Sequence, residues 1–129
     1  MSKKPEEWMK QAEYDMKAAR TLYDGRTYIY SVFMCHLSIE KALKGLYLKR
    51  LNELPPKTHN LNYLKEKIGL EIPVDLEEFV MTLNHKSVPT RYPEDLSRML
   101  KGQTKKQTGI LLENGARLLK WIKKQYEKS

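Results

Sequence analysis

The chain has 129 residues, the length of one ordinary domain, and its 40% hydrophobic and 31% charged residues describe a globular and not a disordered protein. A net charge of +8 and a pI near 9.5 favour acidic partners such as nucleic acid or nucleotides. The single cysteine, Cys35, excludes an intrachain disulfide or a cysteine metal cluster. With no apolar run fit for a signal peptide or a bilayer span, the expectation is a soluble cytoplasmic protein, residues 1–129 forming one domain.

Apolar residues recur with helical spacing in most segments, and no long stretch alternates as a strand would. The first helix is predicted from Pro5 to Tyr23, with Glu6 and Glu7 favouring its N-terminal dipole and Asp24-Gly25 ending it. Trp8, Ala12, Asp15, Ala19, Leu22 and Tyr23 share one face of it. A second helix, Tyr28 to Leu51, carries the longest apolar arc, from Ile29 to Tyr47, and reads as the central one; Pro55-Pro56 lies beyond its end. A short helix follows from Asn60 to Ile68, with Thr58 as its expected cap and Gly69 as its stop. The fourth is expected from Asp75 to Lys86, with Asp75 and Glu78 as a capping box. Two prolines four apart in SVPTRYPEDL predict a rigid loop up to Pro93, then a short helical turn from Glu94 to Leu100. The last helix, Thr104 to Lys128, presents Leu111, Leu112, Gly115, Leu118, Leu119, Ile122 and Tyr126 inward. The predicted fold is all-α, an up-and-down bundle of four to five helices.

Several polar residues fall on the buried arcs. His36 and Glu40 stand one turn apart on the second helix, and Lys44 continues the line. Asp15 interrupts the apolar face of the first helix. Buried charges need partners, and the donors available to Asp15 are His36, Lys41 and Arg91. Two readings stand side by side: a satisfied network that fixes helix register, or a polar cleft that holds a ligand. His36 and Glu40 supply at most two metal ligands, and the spacing of His59 and His85 adds no recognisable set, so neither a metal nor another cofactor is expected. Ser31, Ser38 and Cys35 occupy no strand-turn-helix elbow, and the scattered glycines form no phosphate loop. Cys35 falls on the apolar arc as a core residue. Arg91, between Pro89 and Pro93, offers a rigid fork for phosphate or carboxylate, or closes the bundle by pairing with Asp15 or Glu40; Tyr92 stacks on a base or packs as core.

Basic character gathers at the C-terminal end, where residues 101–129 hold eight Lys or Arg against two Glu. There KWIKKQYEK mixes cations with Trp121 and Tyr126. That mixture suits nucleic acid, or a solvated last helix whose cations favour the C-terminal dipole, and Trp121, off the main arc, is available for a subunit contact.

Taken in order, Trp8, Ala12 and Asp15, then Ser31, Phe33, His36, Glu40, Lys41 and Lys44, then Thr58-His59-Asn60-Leu61, then Arg91-Tyr92-Pro93-Glu94 give a pattern that resembles the HEPN domain family over nearly the whole chain. At the position of His36 that family more often has Gln. The resemblance implies a helical bundle of about five helices that forms a homodimer in the cytoplasm of a bacterium or archaeon. It also implies a minimal nucleotidyltransferase partner, in two-component or toxin–antitoxin fashion, and a nucleotide ligand. Ligand-binding candidates are then Asp15, Ser31, His36, Glu40, Lys41, Lys44, His59, Arg91 and Tyr92. Some members are metal-independent RNases that use an Arg followed after four to six residues by His. No histidine follows Arg91 here, and no Arg stands at that distance before His36, His59 or His85, so that site is absent as a linear motif. The alternatives to a binding subunit are an RNase with a rearranged site, built from Arg91 and a histidine, and a purely structural dimer.

Overall fold

A computed structural model describes residues 3–129, and among them every regular element is a helix: α1 Pro5–Asp24, α2 Tyr28–Leu51, α3 Leu61–Ile68, α4 Val74–His85, α5 Ser87–Arg91, α6 Leu96–Gly102 and α7 Lys105–Lys128. The first two elements and the last match their predicted bounds to within a residue. Thr104 caps α7 in a full capping box with Gln107.

The buried face of α1 is turned slightly from the predicted one. Met9, Ala12, Asp15, Met16 and Ala19 are buried, whereas Trp8, Leu22 and Tyr23 lie at its margin. α2 is buried on nearly every side, because α1, α3, α5 and α7 all pack on it. That explains its weak amphipathicity: a helix at the centre of a bundle needs no polar face. Val32, Cys35, Ile39, Leu43 and Leu46 of α2 meet Leu111, Leu118 and Ile122 of α7 and Met9, Ala12 and Met16 of α1 in one continuous core. Gly115 sets how closely α7 approaches α2, since a Cβ there would collide with Cys35 Sγ. Burial in this apolar contact pushes the Cys35 thiol up to about 12, which makes it an inert core group.

Two expected caps are elsewhere. α3 is capped by Asn60, whose side chain accepts from Tyr63 N–H, and the Thr58 hydroxyl instead accepts from Asn60 N–H. α4 starts after Pro73 without a side-chain cap, and Asp75 is drawn away to Arg117 of α7.

The segment predicted as loop contains α5. Pro89 is its third residue, where a backbone N–H would have no partner within the helix, so the proline costs no hydrogen bond. The predicted turn from Glu94 becomes α6, two residues later, because Asp95 caps it by accepting from Arg98 N–H. α6 buries none of its residues.

Candidate functional site

α2 presents polar side chains on two flanks. Toward α1, Ser31 donates to Ala19 O at 2.7 Å and Ser38 to Ala12 O at 2.6 Å, both buried. Lys41 Nζ lies 2.9 Å from Asp15 Oδ2; the contact is ionic, without an aligned hydrogen bond to that oxygen. Of the three donors available to Asp15 in sequence, Lys41 is the one that reaches it. Ser31, a ligand candidate by resemblance, spends its hydroxyl on the α1 backbone. These groups tie α2 to α1.

The opposite flank faces α3 and α5. Glu40, almost fully buried, divides its carboxylate: Oε2 accepts from Lys44 Nζ at 3.1 Å, and Oε1 stands 2.8 Å from His59 Nδ1. His59 Nε2 in turn lies 3.2 Å from Arg91 Nη1. A carboxylate only accepts and a guanidinium only donates, so both contacts are hydrogen bonds when His59 is neutral with its proton on Nδ1. Its Nε2 lone pair then faces Arg91. Of the two readings of Arg91, direct pairing with Asp15 or Glu40 is not what the structure has: Arg91 reaches Glu40 only through His59, and its guanidinium stacks 4.7 Å from the centre of the Phe33 ring. Phe33 is a platform that went unremarked in the sequence as part of a site, although it stands seven residues before Glu40 and so on the same face of α2.

Local turn chemistry places His59. Thr58 and Asn60 close the turn around it. Asn84, at the end of α4, accepts from Leu61 N–H at 2.8 Å and donates to Asn60 Oδ1 at 3.2 Å. Nothing in the local pattern pointed to Asn84, since a cross-link between a loop and a later helix has no periodic signature. α5 delivers Arg91 from the other side.

His36 lies beneath this chain of contacts, fully buried. Its Nδ1 is 3.8 Å from Glu40 Oε1, and neither ring nitrogen has an aligned hydrogen-bond partner. Burial lowers its pKa from 6.5 to about 4; Glu40 opposes the shift, the charges of Arg91 and His59 add to it, and the nearby His59 backbone opposes it. Arg91 Nε and Nη2 are likewise buried and unpartnered. The polar groups of this flank therefore hold unused hydrogen-bonding capacity beside an imidazole, His59, whose side chain is 53% exposed.

The structure thus gathers His36, Glu40, Lys44, His59 and Arg91, and leaves Asp15, Lys41 and Ser31 on the other flank. Tyr92 is 72% exposed and packs in no core. It lines a groove with Val88, Pro93 and Arg98, next to Arg91 in the chain. Among the described residues no three His, Cys, Asp or Glu side chains converge as metal ligands, and no helix is long and apolar enough to cross a membrane.

The model of the HEPN domain matches residues 5–125. In structure the chain is similar to ST0689, an archaeal HEPN homologue, with a TM-score of 0.78 and 28% identity over 97% of this chain and 99% of that one. It has the same fold as TT1696 from Thermus thermophilus, with a TM-score of 0.80 and 22% identity over 93% and 96% of the two chains. No curated protein matches it.

Proposed function

The chain belongs to the HEPN domain family, and from that premise we propose that it is a homodimeric, cytoplasmic nucleotide-binding subunit whose phosphate site is centred on Arg91 and His59. One observation carries this reading: the Arg91 guanidinium, stacked 4.7 Å from the Phe33 ring centre, meets the half-exposed imidazole of His59 through Nη1 at 3.2 Å. A guanidinium steadied on an aromatic ring beside an exposed imidazole suits a phosphate oxyanion. Lys44 adds positive charge, Glu40 holds the imidazole from below with His36 buried beneath, and Tyr92 is free to stack on a base. Single-domain organisation over residues 1–129 and action beside a minimal nucleotidyltransferase, as in two-component or toxin–antitoxin pairs, belong to the same proposal and rest on the resemblance. The dimer has further support in α6, which buries no residue and exposes Leu96 and Leu100.

Calorimetric titration with ATP, GTP and a short RNA tests it. Binding by the unaltered protein that weakens at least tenfold in Arg91→Ala and in His59→Ala is the expected result. Wild-type affinity in both variants, or no binding of any of the three, removes the site.

The Arg91–His59 contact also favours a second reading, a metal-independent RNase whose site is assembled in space and not along the chain. With Arg91 turned from His59 onto the phosphate, the freed Nε2 lone pair of His59 would take the proton of a ribose 2′-hydroxyl as the 2′-oxygen bonds to phosphorus. Arg91 would stabilise the phosphate charge while the 5′-oxygen leaves with a proton returned by His59 or water. Glu40 would hold the imidazole in the required tautomer. Cleavage of RNA in the presence of a chelator, lost in Arg91→Ala and in His59→Ala, is the outcome this reading requires; RNA that binds and stays intact leaves the binding subunit alone.

A further inference from the structure

Away from that site, α7 carries a pattern that the bundle does not use. Arg117, Lys120, Trp121, Lys124 and Lys128 are spaced three, four, seven and eleven residues from the first, which places them within about 100° of arc. They lie opposite the buried leucines of the same helix. The row is about 16 Å long at the rise of an α-helix. Its cations are exposed, and among the described residues Lys120, Lys124 and Lys128 enter no ion pair. Lys123, on the flank toward α1, is by contrast held by Glu13 at 2.6 Å. The chain therefore neutralises the side of α7 that meets α1, and in the outward row it pairs Arg117 with Asp75 but leaves Lys120, Lys124 and Lys128 without a carboxylate among the described residues.

Trp121 sits within this row. It packs partly on the core and lines a groove of about 280 Å³ between α7 and the start of α4, with Pro73 and Leu76 as apolar wall, Lys120 and Lys124 as cationic rim, and the Arg117–Asp75 ion pair also on the lining. The ring of Trp8 is covered by Lys3 at 3.9 Å and that of Tyr126 by Lys49 at 4.0 Å, whereas none of the cation–π contacts among the described residues falls on Trp121.

We propose that this face of α7 binds single-stranded nucleic acid, with one base against Trp121 in the groove and the backbone along Lys120, Lys124 and Lys128. The components are those of strand-binding surfaces elsewhere: a line of cations that follows phosphates, and an aromatic surface that accepts a base without reading it. A single nucleotide would engage only part of a row this long. A membrane surface is disfavoured, because the apolar face of α7 is already buried in the core and has nothing to insert. An acidic peptide would use the lysines but leave the tryptophan idle. The inference does not depend on the Arg91 site.

Anisotropy of a fluorescein-labelled oligouridine of twelve nucleotides, titrated with the full chain at several salt concentrations, tests the proposal. Neutralising three phosphates on a single strand gives a slope of log affinity against log salt of about −2. Lys120→Gln with Lys124→Gln should weaken binding at least tenfold at low salt and bring the slope to about −0.7. The same charge removed from α1, as Lys10→Gln with Lys17→Gln, should change affinity less than threefold; both residues are exposed. Trp121→Phe should bind within a few-fold of wild type and Trp121→Leu about tenfold more weakly, with melting curves run to show that both variants are folded. Equal losses in the two lysine pairs, an unaltered affinity in the α7 pair, or tighter binding of a polyglutamate peptide than of the RNA would each overturn it. The Arg91 reading survives any of these, because ATP and GTP report on it.

Discussion

α2 is tied to its neighbours differently on its two flanks. On the α1 side, each buried polar side chain of α2 finds a counterpart within the hairpin, although Asp15 Oδ2 is met by an ion pair and not by an aligned hydrogen bond. Ser31 and Ser38 bond to backbone carbonyls, and Lys41 meets Asp15. On the α3–α5 side, Glu40 is fully engaged, but His36 has no aligned partner, two nitrogens of Arg91 have none, and His59 is exposed. A buried polar network that only fixes register has every reason to be complete, since each unmet group costs about 1–3 kcal/mol. The closed flank has the character of structure and the open one that of a site. Substitutions that weaken stability on one flank and binding on the other would sharpen this contrast.

The largest effect is expected from Asp15→Ala. It leaves Lys41 near the interior without its carboxylate, and breaking such a pair costs about 3 kcal/mol or more. Urea denaturation should show that loss, while nucleotide affinity, measured where the variant is folded, should hold. Replacing both partners, as Asp15→Leu with Lys41→Met, should restore stability to within about 1 kcal/mol of wild type. A loss of binding that tracks Asp15 and not stability would erase the distinction between the flanks.

The second effect is a pH dependence on the open flank. Unfolded, His36 takes a proton below about 6.5; folded, burial withholds it until about 4. Between those values the unfolded chain binds more protons, so stability falls as pH falls through that window, by roughly 3 kcal/mol from this residue. His36→Gln should flatten that part of the profile. Denaturation midpoints at pH 7, 5.5 and 4.5 for the two proteins give the difference; parallel profiles would mean that His36 is solvated and the flank looser than described.

How far this contrast could be read in the sequence depends on distance along the chain. Residues four apart on a helix announce their neighbours, so the burial of His36, Glu40 and Asp15 followed from angle alone, while punctuation such as Pro5, Asp24-Gly25 and Pro55-Pro56 marked the bounds of α1 and α2. The partners of those residues were harder. Lys41 was one of three donors for Asp15, and nothing local chose among them. His59 became the link between Glu40 and Arg91 because Asn84 and Asn60 pin its loop, a contact across 24 residues. α5 was hidden by Pro89, whose penalty disappears in a first turn. Ser31 shows the converse: a residue carried by resemblance to a ligand role has its hydroxyl committed to Ala19 O. Periodicity encodes which face is inward; it does not encode which of two inward faces stays open.

Ser38→Ala tests the closed flank more gently. The hydroxyl is buried and donates at 2.6 Å to a carbonyl of α1, so its loss should cost about 1 kcal/mol and leave binding alone. The smallest expected change in stability is that of Arg91→Ala. The stack on Phe33 is lost, which costs about 0.5–1 kcal/mol. Removing two buried nitrogens that have no partner offsets it, so the denaturation midpoint should shift by less than about 0.5 kcal/mol. Binding of ATP, GTP or RNA should nevertheless collapse, and Arg91→Lys should not restore it, because an ammonium cannot present the guanidinium's fork. A variant that loses about 2 kcal/mol or more would place Arg91 among the groups that hold the bundle together. The α3–α5 flank would then be as closed as the α1 flank, with its missing partners supplied by water or by the second subunit, and the phosphate site would lose its anchor.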